Sequence, residues 1–256
     1  MVQYFPSISP DHQEWLLSQP VYFVASAPNR GKHINISPKG LPATSLAILG
    51  PNQVAYLDAT GSGNETISHV RENGRVTVMF CSFGASPRIM RLFCTGSIVE
   101  YTDPAFRGWL SRMNLAKDYI RGVRAVIALD VFLVQTSCGY GVPRLALQTD
   151  AATGAVKPYL QDRETLVAWG EKKDGTKELL EAQCKWNLES LDGLPGLRTA
   201  LQGTGKSNIA ISLSIAANRY RRLLELAGAV FVTVLTLWLA GCLKMPPALL
   251  DRMASL

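Results

Sequence analysis

The stretch DATGSGNET, residues 58–66, decides the fold assignment because it joins a strand pattern to a helix pattern through a glycine-rich loop. The preceding residues 53–58, QVAYLD, predict a strand, and residues 64–72, NETISHVRE, predict a helix with Asn64 or Ser62 as its N-cap. Such a loop gathers unpaired backbone N–H groups at the positive end of a helix dipole. It therefore predicts a phosphate cradle, with a plain capped helix after a flexible loop as the alternative.

A second polar loop is expected to meet this cradle. Residues 33–37, HINIS, alternate polar and apolar side chains and predict a strand, which leaves through the sequence SPKG at 37–40. Lys39 in that loop would add a full positive charge beside a phosphate. Three short polar side chains of the glycine-rich stretch would add donors: Ser62, Asn64 and Thr66. No Walker lysine follows, so a nucleoside-triphosphate P-loop is not indicated.

Strand patterns recur through the first part of the chain. Four more strands are predicted at residues 21–27, 75–82, 91–101 and 125–136. Short strands at near-even spacing, with tight turns and few helices, favour a small closed or half-open antiparallel barrel. After Gly141 the chain becomes more polar, and helices are predicted at 163–170 and 176–189. The expected fold class is a mainly β-barrel with helices, followed by a helical C-terminal extension.

These patterns divide the chain into a barrel domain at 1–145, a helical or irregular extension at 146–222 and a candidate transmembrane tail-anchor helix at 223–244. The last region contains 18 uncharged residues, which begin at Leu226 and end at Leu243 and are just enough to span a bilayer. Three arginines precede it and would hold the bulk of the chain in the cytoplasm: Arg219, Arg221 and Arg222. A buried terminal helix, or one packed in a dimer, is the alternative.

Composition and charge narrow the function classes. The chain has 256 residues, a hydrophobic fraction of 47% and a net charge of +6, which suits an anionic ligand, a membrane surface or nucleic acid. No run of five basic residues and no nucleic-acid motif is present, so nucleic-acid binding is not expected. The 5 cysteines are scattered without a C-x-x-C pair, so neither a zinc site nor a disulfide framework is expected. Cys81 and Cys94 lie in apolar runs and are predicted to be buried, in a protein of a reducing compartment.

Five stretches in one order resemble the pyridoxamine 5′-phosphate oxidase-like flavoproteins, particularly their fungal branch. They are INISPKG (34–40), AYLDATGSGNETISH (55–69), ENGRVTVMF (72–80), SPRIMRLFCTG (86–96) and SCGYGVP (137–143). The resemblance implies an FMN-binding split barrel that forms homodimers with flavin at the subunit interface. It also implies a set of cofactor-binding residues: His33, Asn35, Ser37, Lys39, Ser62, Asn64, Thr66 and Arg91. Arg91 would contact the flavin ring or ribityl chain, and the 62–66 positions would hold its phosphate.

The sequence also departs from that family. The Ser-Arg-Lys of true pyridoxamine phosphate oxidases is replaced by Ser62, Gly63 and Asn64, which leaves less positive charge for the phosphate. The residues that hold the substrate phosphate in those oxidases, and their C-terminal Arg-x-His motif, have no counterpart here. Oxidation of pyridoxine phosphate is therefore not expected. His69, three positions after Thr66, is expected to be solvated, with contact to flavin phosphate or substrate as the alternative.

Two functions remain open from the sequence. The first is an FMN-dependent oxidoreductase that acts on a small organic molecule by hydride transfer at flavin N5, where the protein positions the substrate and the cofactor carries the chemistry. The second is a non-catalytic flavin- or haem-binding protein on the same fold, tethered to a membrane. No catalytic residue and no metal ligand is assigned.

Overall fold

The computed structural model describes residues 2–115, 119, 121–174 and 176–240 of the chain. By internal contacts the chain divides into two compact units, residues 1–168 and 169–256. The first unit contains the predicted barrel and every candidate cofactor-binding residue. The second unit begins later than the extension expected from residue 146.

Eight strands of the first unit form one antiparallel sheet. They are β1 (Gln3–Phe5), β2 (Tyr22–Ser26), β3 (Asn35–Lys39), β4 (Leu46–Gly50), β5 (Gln53–Ala59), β6 (Arg75–Cys81), β7 (Ile89–Glu100) and β8 (Val123–Ser137). Their order is β3-β2-β6-β7-β8-β5-β4, and β1 pairs with β8. The predicted fold class is confirmed as a split β-barrel with helices. The third strand lies two residues later than predicted, and β1 and β4 were not predicted.

The helices of the barrel are α1 (Pro10–Leu17), α2 (Pro42–Ser45), α3 (Glu65–Asn73) and α4 (Phe106–Arg112). Ile67 and Val70 lie on the same face of α3, and this apolar face is turned towards the sheet. Both side chains therefore pack in the main core with the inward residues of the strands. Phe106 and Leu110 of α4 pack on the opposite face of β5 and β8, in a second core. α3 and α4 therefore pack in two separate cores of the barrel.

Side chains bridge the two ends of the sheet. Among the described strands, β3 and β4 end the hydrogen-bonded path, and they are not paired with each other. The hydroxyl oxygen of Tyr22 on β2 nevertheless lies 3.4 Å from the hydroxyl oxygen of Ser45. The ring centroid of Tyr22 is 6.1 Å from that of Tyr56 on β5. Lys39 of β3 and Asp58 of β5 form an ion pair. The open seam of the barrel thus has β3 on one side, and β4 and the end of β5 on the other, because β4 pairs only with the first part of β5.

A hairpin follows the barrel, in a region that was expected to be helical or irregular. It consists of β9 (Arg144–Thr149) and β10 (Val156–Gln161), paired antiparallel. The hairpin itself was not predicted; apolar residues at alternate positions, such as Leu145 and Leu147, belong to its first strand. Arg163 fixes the chain after the hairpin, since its guanidinium donates to the carbonyls of Ser82, Gly84, Ala85 and Val142.

The remaining helices are α5 (Thr165–Lys173), α6 (Lys177–Trp186), α7 (Arg198–Gly203) and α8 (Asn208–Leu239). In the second unit α8 begins 15 residues before the predicted start at 223 and is 32 residues long. Its apolar stretch has a mean hydropathy of 1.7 and is exposed, so the helix is long and apolar enough to cross a membrane. Positions 241–244 of the predicted tail anchor lie outside the described residues.

The cysteines differ in burial, so their rates of alkylation test the packing of the barrel. Cys81 and Cys94 are buried as predicted, and burial raises the pKa of the Cys94 thiol to about 12. Cys138 is exposed. Because the thiolate is the reactive form, we expect iodoacetamide at neutral pH to label Cys138 rapidly and Cys94 only after unfolding. Peptide mass mapping of labelled protein, native and in denaturant, measures this. Rapid native labelling of Cys94 would contradict the described core.

Candidate functional site

A cleft of about 330 Å³ opens in the seam between β3 and β5. Its walls come from β3, the end of β5, the loop that follows β5, the start of α3 and the start of β8. The lining residues are Asn35, Ser37, Pro38, Lys39, Asp58, Ala59, Gly61, Ser62, Gly63, Glu65, Thr66 and Arg124. The two loops predicted to converge on a phosphate therefore meet in one cleft.

Asp58 forms the centre of the cleft's charge network. Its carboxylate is 2% exposed and lies 3.0 Å from Lys39 Nζ and 2.7 Å from Arg124 Nε. Burial of an unpaired carboxylate would raise the free energy of the folded state, and these two cations compensate for that penalty. Both cationic side chains remain 25% exposed. They can therefore balance Asp58 and still present positive charge to a ligand in the cleft.

Arg124 lines the cleft and was not predicted from the sequence. Asp58 pairs with Ala125, whereas Ala59 pairs with Val123, so Arg124 is the extra residue of a β-bulge. A bulge re-aims the side chain of the extra residue, and here Arg124 points to Asp58 and not to the α4 side, where Val123 and Val126 pack. Its second terminal nitrogen donates to the carbonyl of Gly63 at 2.7 Å. Arg124 thus ties the glycine-rich loop to the barrel.

Asn35 and Thr66 connect β3 to the start of α3. The amide nitrogen of Asn35 donates to Thr66 Oγ1 at 3.1 Å and to Ser37 Oγ at 3.2 Å. Both hydroxyl groups then keep their own hydrogens free to donate elsewhere. Thr66 is buried, while Ser62 is exposed at the mouth of the loop. The arrangement offers hydroxyl donors on two sides of the cleft.

The first turn of α3 is open towards the cleft. Asn64 occupies the N-cap position, but its side chain makes no capping bond, and its amide donates instead to Ser68 Oγ at 3.2 Å. Asn64 is therefore the N-cap residue, as predicted, without a side-chain capping bond. The backbone N–H groups of the first turn lack a side-chain cap, and they carry the positive end of the helix dipole. An anion at this position would satisfy them.

Three of the eight predicted cofactor-binding residues do not line the cleft: His33, Asn64 and Arg91. His33 is exposed, and its ring centroid is 5.6 Å from that of His69. Arg91 on β7 donates to Gln135 Oε1 at 3.0 Å, on the neighbouring strand β8. The other predicted residues line the cleft. The chain by itself therefore brings together Asn35, Ser37, Lys39, Ser62 and Thr66.

His69 is buried and not solvated, which corrects the expectation for this residue. Its Nδ1 lies 2.9 Å from Ser26 Oγ on β2, and both residues are buried. It shares the inward face of α3 with Thr66 and Val70, so the helical spacing from Thr66 could have indicated burial. The hydrogen bond to Ser26 fixes α3 against the sheet.

Tyr56 lies behind the cleft with an unsatisfied hydroxyl. Its ring centroid is 5.9 Å from Lys39 Nζ, and its buried Oη has no hydrogen-bond partner among the described residues. Burial, and secondarily the negative charge of Asp58, raises the pKa of Tyr56 well above its ordinary value. The neutral phenol is therefore the form present in the folded protein at neutral pH.

Tyr56→Phe is expected to increase the free energy of unfolding by about 1 kcal/mol, because it removes a buried polar group that has lost its water partners. Urea unfolding followed by circular dichroism measures the change. Tyr22→Phe is the matched control, since Tyr22 is equally buried but lies within reach of Ser45, and its substitution should bring no gain. A loss of stability in Tyr56→Phe would show that the hydroxyl has a partner in solution.

The fold and cleft define a split-barrel protein with a charged, donor-rich site at a helix N-terminus. The family profile for pyridoxamine 5′-phosphate oxidase matches residues 8–138. The pyridoxamine 5′-phosphate oxidase family protein ustO of Aspergillus flavus is 54% identical over 203 residues, which are 79% of this chain and 81% of the relative. This chain belongs to the pyridoxamine 5′-phosphate oxidase family.

Solved structures similar to this chain cover about half of it. HupZ of Group A Streptococcus has 20% identity and a TM-score of 0.40, over 51% of this chain and 99% of that one. An FAD-binding protein of Mesorhizobium loti has 15% identity and a TM-score of 0.34, over 53% of this chain and 96% of that one.

Proposed function

We propose that this protein is an FMN-dependent oxidoreductase that acts on a small organic substrate. The observation that carries the proposal is the seam cleft, where Lys39 and Arg124 converge with the uncapped first turn of α3. Family membership supports a flavin as the ligand. When bound, FMN supplies hydride transfer at its N5 atom.

The residues of the cleft fit the phosphate of FMN. Arg124 and Lys39 contribute positive charge, and Ser62 and Thr66 contribute hydroxyl donors. The first-turn amides of α3 contribute backbone donors that no side chain now caps. Because Arg124 also holds Gly63, ligand binding and loop position are linked through one guanidinium. The barrel residues around the cleft orient the ligand and exclude water from its phosphate.

A homodimer is part of this proposal. Ile36 projects from β3, which lies at one end of the sheet, and Ile34 immediately precedes this strand; both side chains are exposed. Apolar side chains on an edge strand next to a binding site are suited to cover by another subunit. His33 and Arg91, which do not line the cleft of their own chain, would then serve a flavin ring shared between subunits.

We also propose that α8 anchors the protein to a membrane with the barrel in the cytoplasm. Arg219, Arg221 and Arg222 precede the uncharged stretch, and positive charge marks the cytoplasmic side of a span. Tyr220 and Trp238 flank the apolar part of the helix. They are about 27 Å apart along the helix axis by the rise per residue, close to the hydrocarbon thickness of a bilayer.

The competing function is a non-catalytic flavin- or haem-binding protein tethered to a membrane. The sparse positive charge of the cleft favours it over the oxidoreductase, and the exposed helix α8 is compatible with a membrane tether under either function. For haem, the cleft offers no imidazole, because its lining contains none of the 3 histidines of the chain. A flavin is therefore the better ligand under either function.

Reduction kinetics separate the oxidoreductase from the binder. The FMN-loaded protein is mixed anaerobically with NADH or NADPH, and reoxidation by O₂ is followed separately, with free FMN as the control in both experiments. An oxidoreductase is expected to exceed the rate of free FMN in at least one half-reaction. Rates at or below those of free FMN in both would favour the non-catalytic binder.

A further inference from the structure

The seam cleft contains two acidic side chains that oppose its two basic ones. Lys39 and Arg124 are its cations, and Asp58 and Glu65 are its anions, so the formal charges of the lining cancel. A phosphate entering the cleft therefore meets a polar but neutral lining. The two acidic residues differ in what they do.

Asp58 has a structural role. It is buried and contacts both cations, so its removal would leave those cations without their internal partner. Its charge is already balanced inside the protein.

Glu65 has no such structural role. It is exposed, and within the described part of the chain its carboxylate takes part in no ion pair. It is the first residue of α3, and its Oε2 lies against Gly63, in the space that a β-carbon on residue 63 would occupy. The carboxylate thus stands beside Gly63, in the lining of the cleft that would receive a phosphate.

A carboxylate in the first turn of a helix is favoured by the helix dipole when the site is empty. The same carboxylate repels a second anion bound at that turn. Glu65 therefore stabilises the empty cleft and disfavours the occupied one. Glycine at position 63 leaves the space that this carboxylate uses.

We propose that Glu65 is a specificity-determining residue that lowers the affinity of the cleft for dianionic phosphates and keeps bound FMN exchangeable. The inference rests on the proposed function, because it concerns the phosphate of the same ligand. It predicts an effect on FMN that is absent for riboflavin, which carries the same ring and ribityl chain without the phosphate.

The experiment compares the full chain with Glu65→Gln by quenching of flavin fluorescence, in titrations with FMN and with riboflavin. Glu65→Gln is expected to bind FMN about 10-fold more tightly, since loss of one repulsive charge near a partly exposed site is worth about one decade. Riboflavin affinity should not change. Glu14→Gln, which removes an exposed carboxylate on α1, controls for net charge and should leave both affinities unchanged.

Glu65→Ala provides a second variant that also lacks the carboxylate, and it should tighten FMN binding in the same direction. Equal FMN affinity in wild type and both variants would overturn the role of Glu65 while leaving the proposed function intact. Equal tightening for FMN and riboflavin would also overturn it, because the effect would then be steric. Failure of every protein to bind FMN would overturn the proposed function together with this inference.

Discussion

Arg124→Ala is expected to weaken FMN binding about 100-fold, because a charge-assisted hydrogen bond to phosphate contributes up to about 3 kcal/mol. The substitution also removes one of the two partners of the buried Asp58 carboxylate and the bond to the Gly63 carbonyl. We therefore expect the free energy of unfolding to fall by about 2 kcal/mol, less than for a fully broken buried pair because Lys39 remains. Fluorescence titration with FMN and urea unfolding measure the two effects.

Arg71→Ala is the matched control for this prediction. Arg71 also forms an ion pair, with Glu100, but both side chains are largely exposed. Exposed pairs contribute little, so the free energy of unfolding and the FMN affinity should stay nearly unchanged. If Arg124→Ala binds FMN as tightly as the wild type, the cleft is not the phosphate site. If its stability is also unchanged, the bulge at Arg124 has no structural role in solution.

Val234→Arg is expected to release the protein from membranes, because an arginine near the centre of a spanning helix costs about 3 kcal/mol. Val234 lies in the exposed apolar stretch of α8. That cost corresponds to about a 100-fold shift away from the membrane-inserted state. Fractionation of cells that express the full chain, followed by alkaline carbonate extraction of the membrane pellet, measures the shift.

Leu213→Arg is the control, since Leu213 is exposed on the same helix but precedes the uncharged stretch. It should leave the membrane fraction unchanged. A wild-type chain that is extracted by carbonate would contradict the anchor. If Val234→Arg instead converts a soluble dimer into a monomer, the apolar stretch packs against a second copy, which was the alternative seen in the sequence.

The sequence predicts those cleft residues whose positions follow from a local pattern of neighbouring residues. The strand-loop-helix pattern at 53–72 placed Ser62 and Thr66 at a helix start, and that start lies in the cleft. Lys39 was predicted because it lies in the polar stretch SPKG, where the chain leaves the strand predicted at 33–37. Local periodicity and turn chemistry are sufficient for such residues.

Arg124 could not be predicted in the same way. In a regular strand it would share the face of Val126, and only the bulge opposite Ala59 turns it towards Asp58. The bulge depends on pairing between strands that are far apart in sequence. The β9–β10 hairpin was missed for a related reason. Most of its side chains are exposed on both faces, so its alternation is weak beside the helical patterns that follow.

The released ligand tests the central claim most directly. The full chain is purified without added flavin and denatured, and the absorbance spectrum and mass of the released small molecule are recorded, before and after incubation of the native protein with FMN. The proposed function predicts flavin absorption bands and the mass of FMN after incubation, with partial occupancy before it. A colourless protein that releases no FMN even after incubation would contradict the assignment of the seam cleft as an FMN site.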